Sequence, residues 1–384
     1  MGLIKGYTAG THRLVAPETT LERITPHLLS FGITRCADVT GLDQIGIPVT
    51  CAIRPASRTV QVSNGKGLRK VDAKVSALME AIELSCAESP SSPFRRASAA
   101  EMSGAGECFA APASLPRFNT DLWLDERSRL DWIEADELLS GQSSWVPASA
   151  AYYLPERSLY RWNSNGLASG NHLVEATLHA LYEVLERHML SWLVKGSSLS
   201  FQNADVLDVD SVSDDALGAL IASVRAAGLE LVLLRVHTEL PVHTFMAVLC
   251  DPKPFGLSRR VDPGYGTHLN PAIAASRAIT EAAQGRLTVI HGSREDLSAS
   301  VYLAGPHNRL YDFYTHLKPQ GAKWTTLNAH DGPDLEEDLE TLLSAVRSAG
   351  LPAVYRVSMK GLADRAGVAV TKVLVPGALN AFPV

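Results

Sequence analysis

Three stretches of this sequence place carboxylates where a merely solubilising charge would not go. The first holds Ser76, Glu80 and Glu83, with Ala77, Leu78, Met79, Ala81, Ile82 and Leu84 around them. The second holds Glu175, Glu183, Glu186 and Arg187, with Asn171 just before it. The third holds Arg277, Glu281, Gln284 and Arg286. At about 100° per helical residue, Glu175, Glu183 and Glu186 fall within roughly 80° of one another. Leu178, Leu181, Tyr182 and Leu185 cluster on an adjoining sector, so the glutamates flank the apolar face instead of opposing it. Carboxylates that converge in apolar surroundings repel and lose hydration unless a cation sits among them. Mg2+ is a hard cation that takes oxygen ligands and shares them with phosphates. Arg187, next to Glu186, is placed to reach a phosphate oxygen. The competing reading is an ordinary surface pair, Glu183 with Arg187 at i,i+4, and pattern alone leaves the two in balance. In the third stretch Arg277, Glu281 and Gln284 share a face while Arg286 projects roughly opposite Arg277. One of these arginines is structural, and the spacing does not say which.

Two glycine-rich segments are candidate phosphate cradles. Asn64-Gly65-Lys66-Gly67 precedes the first stretch, and Asn163 to Asn171 precedes the second. A glycine turn at a helix N-terminus offers backbone N–H groups to an anion, and Lys66 adds an ammonium. A plain turn is the other reading of either segment. A Gly-x-x-x-x-Gly-Lys-Ser/Thr loop is absent, which disfavours a P-loop nucleotidase. The twelve histidines are dispersed and form no hydrolase triad, so no catalytic acid, base or nucleophile is assigned.

Positioning these groups takes three long helices, about 72–87, 172–193 and 271–289, the last with Pro271 in its first turn. Upstream, an extended arm leads to a short helix from about Thr20, with Thr19 or Thr20 as N-cap. Thr34–Thr40, Pro48–Arg54 and Ser57–Ser63 read as strands joined by Gly and Pro turns. Ser89–Gly106 reads as a surface loop, 129–135 and 144–149 as strands, and Asp251–Asn270 as a Pro- and Gly-rich loop. Ser213–Val236 and Leu335–Val357 resemble each other, each with a Val-Arg-x-Ala-Gly-Leu core between a helical and a strand pattern. An internal duplication and the common helix-glycine-strand habit of such proteins explain this equally well.

The 384 residues carry a net charge of −6, with 46% hydrophobic and 20% charged residues. That is a soluble globular composition with no electrostatic footprint for nucleic acid or an anionic membrane. No apolar run approaches ~18 residues, and the first residues hold no signal-peptide run, so no membrane span is expected. Five scattered cysteines without a Cys-x-x-Cys pair argue against a zinc site or disulfide framework and point to a reducing, cytoplasmic setting.

Ser76-x-x-x-Glu80-Ala-x-Glu83, Asn171-x-x-x-Glu175-Ala with Glu183-x-x-Glu186-Arg187, and Arg277-Ala-x-Thr-Glu281-Ala-x-Gln284-x-Arg286 together resemble the YcaO family in order and spacing. The resemblance runs from about Arg13 to Pro376. It implies an α+β fold of the YcaO type, with mixed and antiparallel sheets packed with helices. It also implies one domain over 1–384, in which 1–60 form an arm and first strands completing the nucleotide site and 61–384 form the catalytic body. The implied cofactors are ATP and Mg2+, and the implied activity is activation of a peptide or protein backbone amide by phosphorylation of its oxygen. Glu80, Glu83, Glu175, Glu183 and Glu186 are the implied metal ligands. Arg13, Thr20, Lys66, Ser76, Asn171, Glu175, Arg187, Arg277 and Arg286 are the implied nucleotide contacts, with one or both of the last two engaged.

Thr40-Gly41-Leu42-Asp43 and Ile45-Gly46-Ile47-Pro48 resemble members that work beside a TfuA-type partner and form thioamides from a sulfide donor. The C-terminal stretch, Val375-Pro376-Gly377 and then Ala381-Phe382-Pro383-Val384, lacks the Pro-x-Pro-x-Pro tail frequent in azoline-forming members. Thioamidation with a TfuA-like partner, in modified-peptide biosynthesis or protein modification, is therefore the preferred expectation. Cyclodehydration of Cys, Ser or Thr is the alternative, and a non-catalytic scaffold the second. A homodimer is compatible with either enzyme.

Overall fold

One local construction occurs three times. The strand Val62–Lys66 leads into the helix Lys70–Glu88, Leu167–Gly170 into Leu173–Ser191, and Val261–His268 into Pro271–His291. These are the first, second and third glutamate helices. Each folds back onto the strand before it, and glycine makes the approach close. A Cβ on Gly65 would lie 2.0 Å from the Ala77 nitrogen, one on Gly170 2.7 Å from that of Ala176, and one on Gly264 2.1 Å from that of Ala282. Any side chain there would drive helix and strand apart. The segments read above as phosphate-cradling turns are thus corrected: Asn64-Gly65-Lys66 ends a strand, and Gly170 ends another.

The structure, a computed structural model, describes residues 2–116, 124–195, 198–255, 259–298, 301–302, 309–317, 319, 322–330 and 332–380. Ala381–Val384, part of the C-terminal stretch considered above, lie outside them. Arg35–Asp38, Val49–Ile53 and Val62–Lys66 form a three-stranded antiparallel sheet, with Ala37 opposite Cys51 and Cys51 opposite Asn64. A five-stranded sheet runs Val261–His268, His243–Cys250, Glu230–Val236, Ala204–Asp208, Ala322–Lys323, antiparallel except for the last pair. A six-stranded sheet runs Arg95–Ser98, Arg129–Glu137, Tyr355–Ser358, Ala369–Leu374, Leu167–Gly170, with Gln142–Pro147 also on Arg129–Glu137. This is the expected combination of mixed and antiparallel sheets with packed helices.

Three apolar cores fix the glutamate helices. Leu78 and Ile82 of the first pack with Ile133, Val146 and Val357 of the six-stranded sheet. Leu178, Leu181 and Leu185 of the second pack with Leu339, Leu342 and Val346 of the helix Leu335–Ser348. The alanines of the third, Ala274 to Ala283, pack with Leu233, Phe245 and Leu249 of the five-stranded sheet.

The two sequence-similar segments also match in local structure. Asp215–Ala226 and Leu335–Ser348 are helices, followed by Gly228 and Gly350 at φ +72° and +75°. Each ends in the left-handed turn that glycine favours. Each following strand is interior to its sheet, and on one side of it lie two antiparallel strands, the outer of which feeds a glutamate helix; that outer strand comes later in the chain in the first case and earlier in the second.

Four readings need correction. The short helix starts at Pro17, not Thr20, and its N-cap Ala16 makes no side-chain bond; the fixed φ of proline sets the start. Ser89–Gly106 contains the strand Arg95–Ser98 and the helix Ala99–Gly104, which Ser98 and Glu101 cap reciprocally. The third N-terminal strand lies at Val62–Lys66, because Glu88 ties down the turn before it by accepting from Ser57 Oγ at 2.7 Å, the Thr59 nitrogen at 3.0 Å and Arg54 Nη2 at 2.6 Å. Asp251–Asn270 contains the strand Val261–His268, whose Pro263 is tolerated at the sheet edge.

Candidate active site

The second glutamate helix begins at the N-cap His172, whose Nδ1 accepts from the Val174 nitrogen at 3.2 Å. One turn in, both Glu175 oxygens are occupied. Oε1 accepts from the Asn171 nitrogen (3.1 Å), Asn171 Nδ2 (3.2 Å) and Arg13 Nη1 (3.3 Å), and Oε2 accepts from the Leu14 nitrogen (2.8 Å). Arg13 also reaches His179 Nδ1 at 3.1 Å, and Thr20 Oγ1 donates to Asn171 Oδ1 at 3.0 Å. Arg13, Thr20, Asn171 and Glu175, far apart in sequence, thus form one network that ties the N-terminal arm to the helix.

Beyond this network, glutamates from all three helices feel one another's charge. Burial pushes Glu80 up to about 7, and Glu183 and Glu281 add repulsion against the pull of Arg294 and Lys66. Burial lifts Glu83 to about 8 despite a 2.5 Å bond from Ser169 Oγ. Glu186 rises to about 7 by burial, with Arg187 opposing and Glu281 reinforcing. Burial also raises Glu183, which Arg187, Lys372 and a 3.2 Å bond from the Gly166 nitrogen partly offset. Glu281 is the exception. Burial would lift it, but Lys66 at 2.7 Å, Arg187 and Arg277 hold it below the ordinary carboxylate range. Ser76 lies one turn before Glu80 and is half-buried.

The cationic side of the site is incompletely satisfied. The Arg187 guanidinium lies over the Tyr265 ring, 5.6 Å from its centroid, with Nη2 3.7 Å from Glu186 Oε1. Arg187 Nη1, Arg277 Nε and Gln284 Oε1 are buried without hydrogen-bond partners, although Gln284 Nε2 donates to the Asn64 oxygen at 2.6 Å. Buried orphan donors are costly. Guanidinium groups beside carboxylates raised toward neutrality are what a polyphosphate with its cations would satisfy, so the donor set fits Mg-ATP. Among the described residues no three acidic, histidine or cysteine side chains converge tightly enough to ligate one ion alone. Repulsion holds uncompensated carboxylates apart, and Mg2+ characteristically takes one or two carboxylates together with phosphates and waters.

Two expected assignments change. Arg286, expected as a nucleotide contact, is 3% exposed and already neutralised, by Asp43 at 3.0 Å, Asp251 at 2.9 Å and Asp262 at 3.6 Å. Arg277 is the arginine beside Glu186 and Glu281. Glu175, expected among the metal ligands, has both oxygens committed to the arm, and Glu281 stands in the carboxylate cluster instead. Glu281 was legible, because it repeats the Glu-Ala pattern of the other helices. His179 and Lys372 had no signal in the sequence. The Thr40–Pro48 segment braces the fold: Asp43 meets Arg286, Gln44 Nε2 donates to the Ala227 oxygen at 3.0 Å, and Ile45 and Ile47 are buried.

The fold brings glutamates and arginines of three helices into one charged region. The chain belongs to the YcaO family: the family model described as YcaO cyclodehydratase, ATP- and Mg2+-binding, matches residues 64–379. ATP and Mg2+, the cofactors expected from the sequence, are those of that description. A protein of Rhizobium leguminosarum bv. trifolii named for the tfuA 3' region is 37% identical over 302 residues, covering 76% of this chain and 70% of that one. A heterocyclase solved in complex with substrate and cofactor superposes with TM-score 0.81 at 23% identity over 99% of this chain, which spans 54% of its length. YcaO from Methanopyrus kandleri, bound with AMPPCP and Mg2+, superposes with TM-score 0.76 at 23% identity, covering 98% of this chain and 95% of that one. These two structures share the fold. No described helix is long and apolar enough to cross a membrane.

Proposed function

We propose that this chain uses Mg-ATP to phosphorylate the oxygen of a peptide or protein backbone amide, and that with a TfuA-like partner delivering sulfide it converts the amide to a thioamide. The C–O bond breaks, the oxygen leaves within phosphate, and a C=S bond forms. One observation carries the reading. Glutamates from three helices, half-buried apart from the buried Glu186, repel one another beside arginine donors that lack acceptors. Bound ATP with Mg2+ supplies the phosphoryl group that turns the amide oxygen into a leaving group. The chain's own part is positioning and charge neutralisation, which phosphoryl transfer needs more than a strong base. Glu80, Glu83, Glu183, Glu186 and Glu281 would hold the cations. Lys66, Ser76, Arg187 and Arg277 would face the phosphates. Arg13, Thr20, Asn171 and Glu175 would fasten the arm over the nucleotide.

The thioamide is favoured by the likeness to the relative named for the tfuA 3' region and by the Thr40–Pro48 motif. An azoline-forming cyclodehydratase is the second reading, favoured by the family description. A cytoplasmic setting agrees with five free cysteines. Incubating peptide, Mg-ATP and sulfide with the chain and its partner, followed by intact-mass analysis, separates the products. Exchange of one oxygen for sulfur supports the thioamide, and loss of one water supports the azoline. Glu186→Ala should abolish either product while the protein stays folded; wild-type turnover in that variant would remove the metal assignment.

A further inference from the structure

A buried lysine stands behind the glutamate cluster without belonging to it. Lys372 lies in the strand Ala369–Leu374, between Tyr355–Ser358 and Leu167–Gly170, and is 3% exposed. A buried ammonium is costly unless hydrogen-bonded, and an apolar side chain would fill a central strand position more cheaply. Its Nζ donates to two carbonyls of one turn, Asn163 O at 2.8 Å and Asn165 O at 2.7 Å. The same turn is closed internally by Asn163 Oδ1, which accepts from the Asn165 nitrogen at 2.9 Å. It is then pinned to the strand by the next residue, since the Val373 nitrogen donates to the Gly166 oxygen at 2.7 Å. Gly166 has φ +77°, and a Cβ there would lie 2.3 Å from the Val373 oxygen. The Leu167 nitrogen also donates to the Ser164 oxygen at 2.7 Å, so backbone bonds close the turn and Lys372 ties its first and third carbonyls together. Its last N–H, that of Gly166, donates to Glu183 Oε2 at 3.2 Å.

We infer that Lys372 is a positioning residue for the magnesium site: it clamps the Asn163–Gly166 turn so that the Gly166 N–H fixes one oxygen of Glu183 and leaves the other to face the cation. The inference rests on the reading of Glu183 as a magnesium ligand. Groups that orient a ligand from behind typically change metal affinity about 10- to 100-fold when removed.

The test is a Mg2+ titration of the full chain at saturating AMPPCP, read by calorimetry, with a second readout in the Mg2+-dependent rise in melting temperature. Lys372→Met should raise the half-saturating Mg2+ concentration about 10- to 100-fold and leave the nucleotide affinity at saturating Mg2+ unchanged. In a Glu183→Gln background the same substitution should add nothing, because the oriented carboxylate is already gone. An unchanged Mg2+ requirement, or an equal shift in the Glu183→Gln background, overturns the inference. If Lys372→Met does not fold, Asn163→Ala decides: it opens the same turn and should shift the Mg2+ requirement in the same direction, and no shift overturns the inference. Failure of the wild-type chain to bind Mg-AMPPCP would overturn the functional reading and this inference with it. Normal binding without the shift would overturn this inference alone.

Discussion

Binding of Mg-nucleotide should expel protons from the glutamate cluster, and their number can be worked from the site. Before binding at pH 7, Glu80 and Glu186, lifted to about 7, are each about half protonated, and Glu83, lifted to about 8, is mostly protonated. A bound cation reverses the burial penalty and requires the ionised carboxylate. Release from these three is then about two protons at pH 7, less than about one at pH 8 and close to none at pH 9, and Glu183, also raised, adds to it. Calorimetry of Mg-AMPPCP binding in buffers of differing ionisation enthalpy counts these protons as the slope of heat against buffer enthalpy. A slope of zero at pH 7, or a proton uptake, would refute the view that the glutamates form one uncompensated cluster. The stability linkage has a definite sign. These carboxyls hold protons in the folded chain above their ordinary value of about 4.5, so the nucleotide-free protein loses stability as pH rises from there toward 8. The stabilisation by Mg-nucleotide should grow over the same interval.

Gly264→Ala should cost about 3 kcal/mol or more in denaturant unfolding, since its Cβ would sit 2.1 Å from the Ala282 nitrogen; a cost near zero would show that the helix can retreat. Arg286→Met should destabilise by about 3–5 kcal/mol, because it strands Asp43 and Asp251 and leaves Asp262 to Arg259 alone. The folded fraction should bind Mg-nucleotide normally, and a binding defect at wild-type stability would return Arg286 to the site. Burial opposes ionisation of Glu88, but bonds from Arg54, Thr59 and Ser57 outweigh it and hold the carboxyl below its ordinary range. Its contribution is therefore present above that range and lost as pH falls through the lowered folded value. Glu88→Gln should flatten the acid limb of a stability-versus-pH curve, and an unchanged limb would remove the assignment.

The three glutamate helices were legible because each repeats a carboxylate pattern against alanine and leucine at helical spacing, and periodicity needs no tertiary information. The Pro271 start of the third helix was legible for the same local reason. The strand Val261–His268 was not, since Pro263, Gly264 and Gly266 look like breakers until a helix is laid on them. Ser98-Ala-Ala-Glu101 carried a capping signature that the surrounding Ser, Pro and Arg residues obscured.

What the chain's order of residues determined by itself was the chemistry on offer: which helices carry acid, which positions carry arginine, and the family those spacings resemble. What only the tertiary structure decided was the pairing. Lys66 meets Glu281 across 215 residues, Arg286 meets Asp43 across 243, and Lys372 reaches Asn163 across 209. Arg277 and Arg286 project from roughly opposite faces of one helix, and only the structure shows that Asp43, Asp251 and Asp262 surround the second of them. The cause is that charge interactions in a buried site depend on distance through space, which no spacing along the chain encodes.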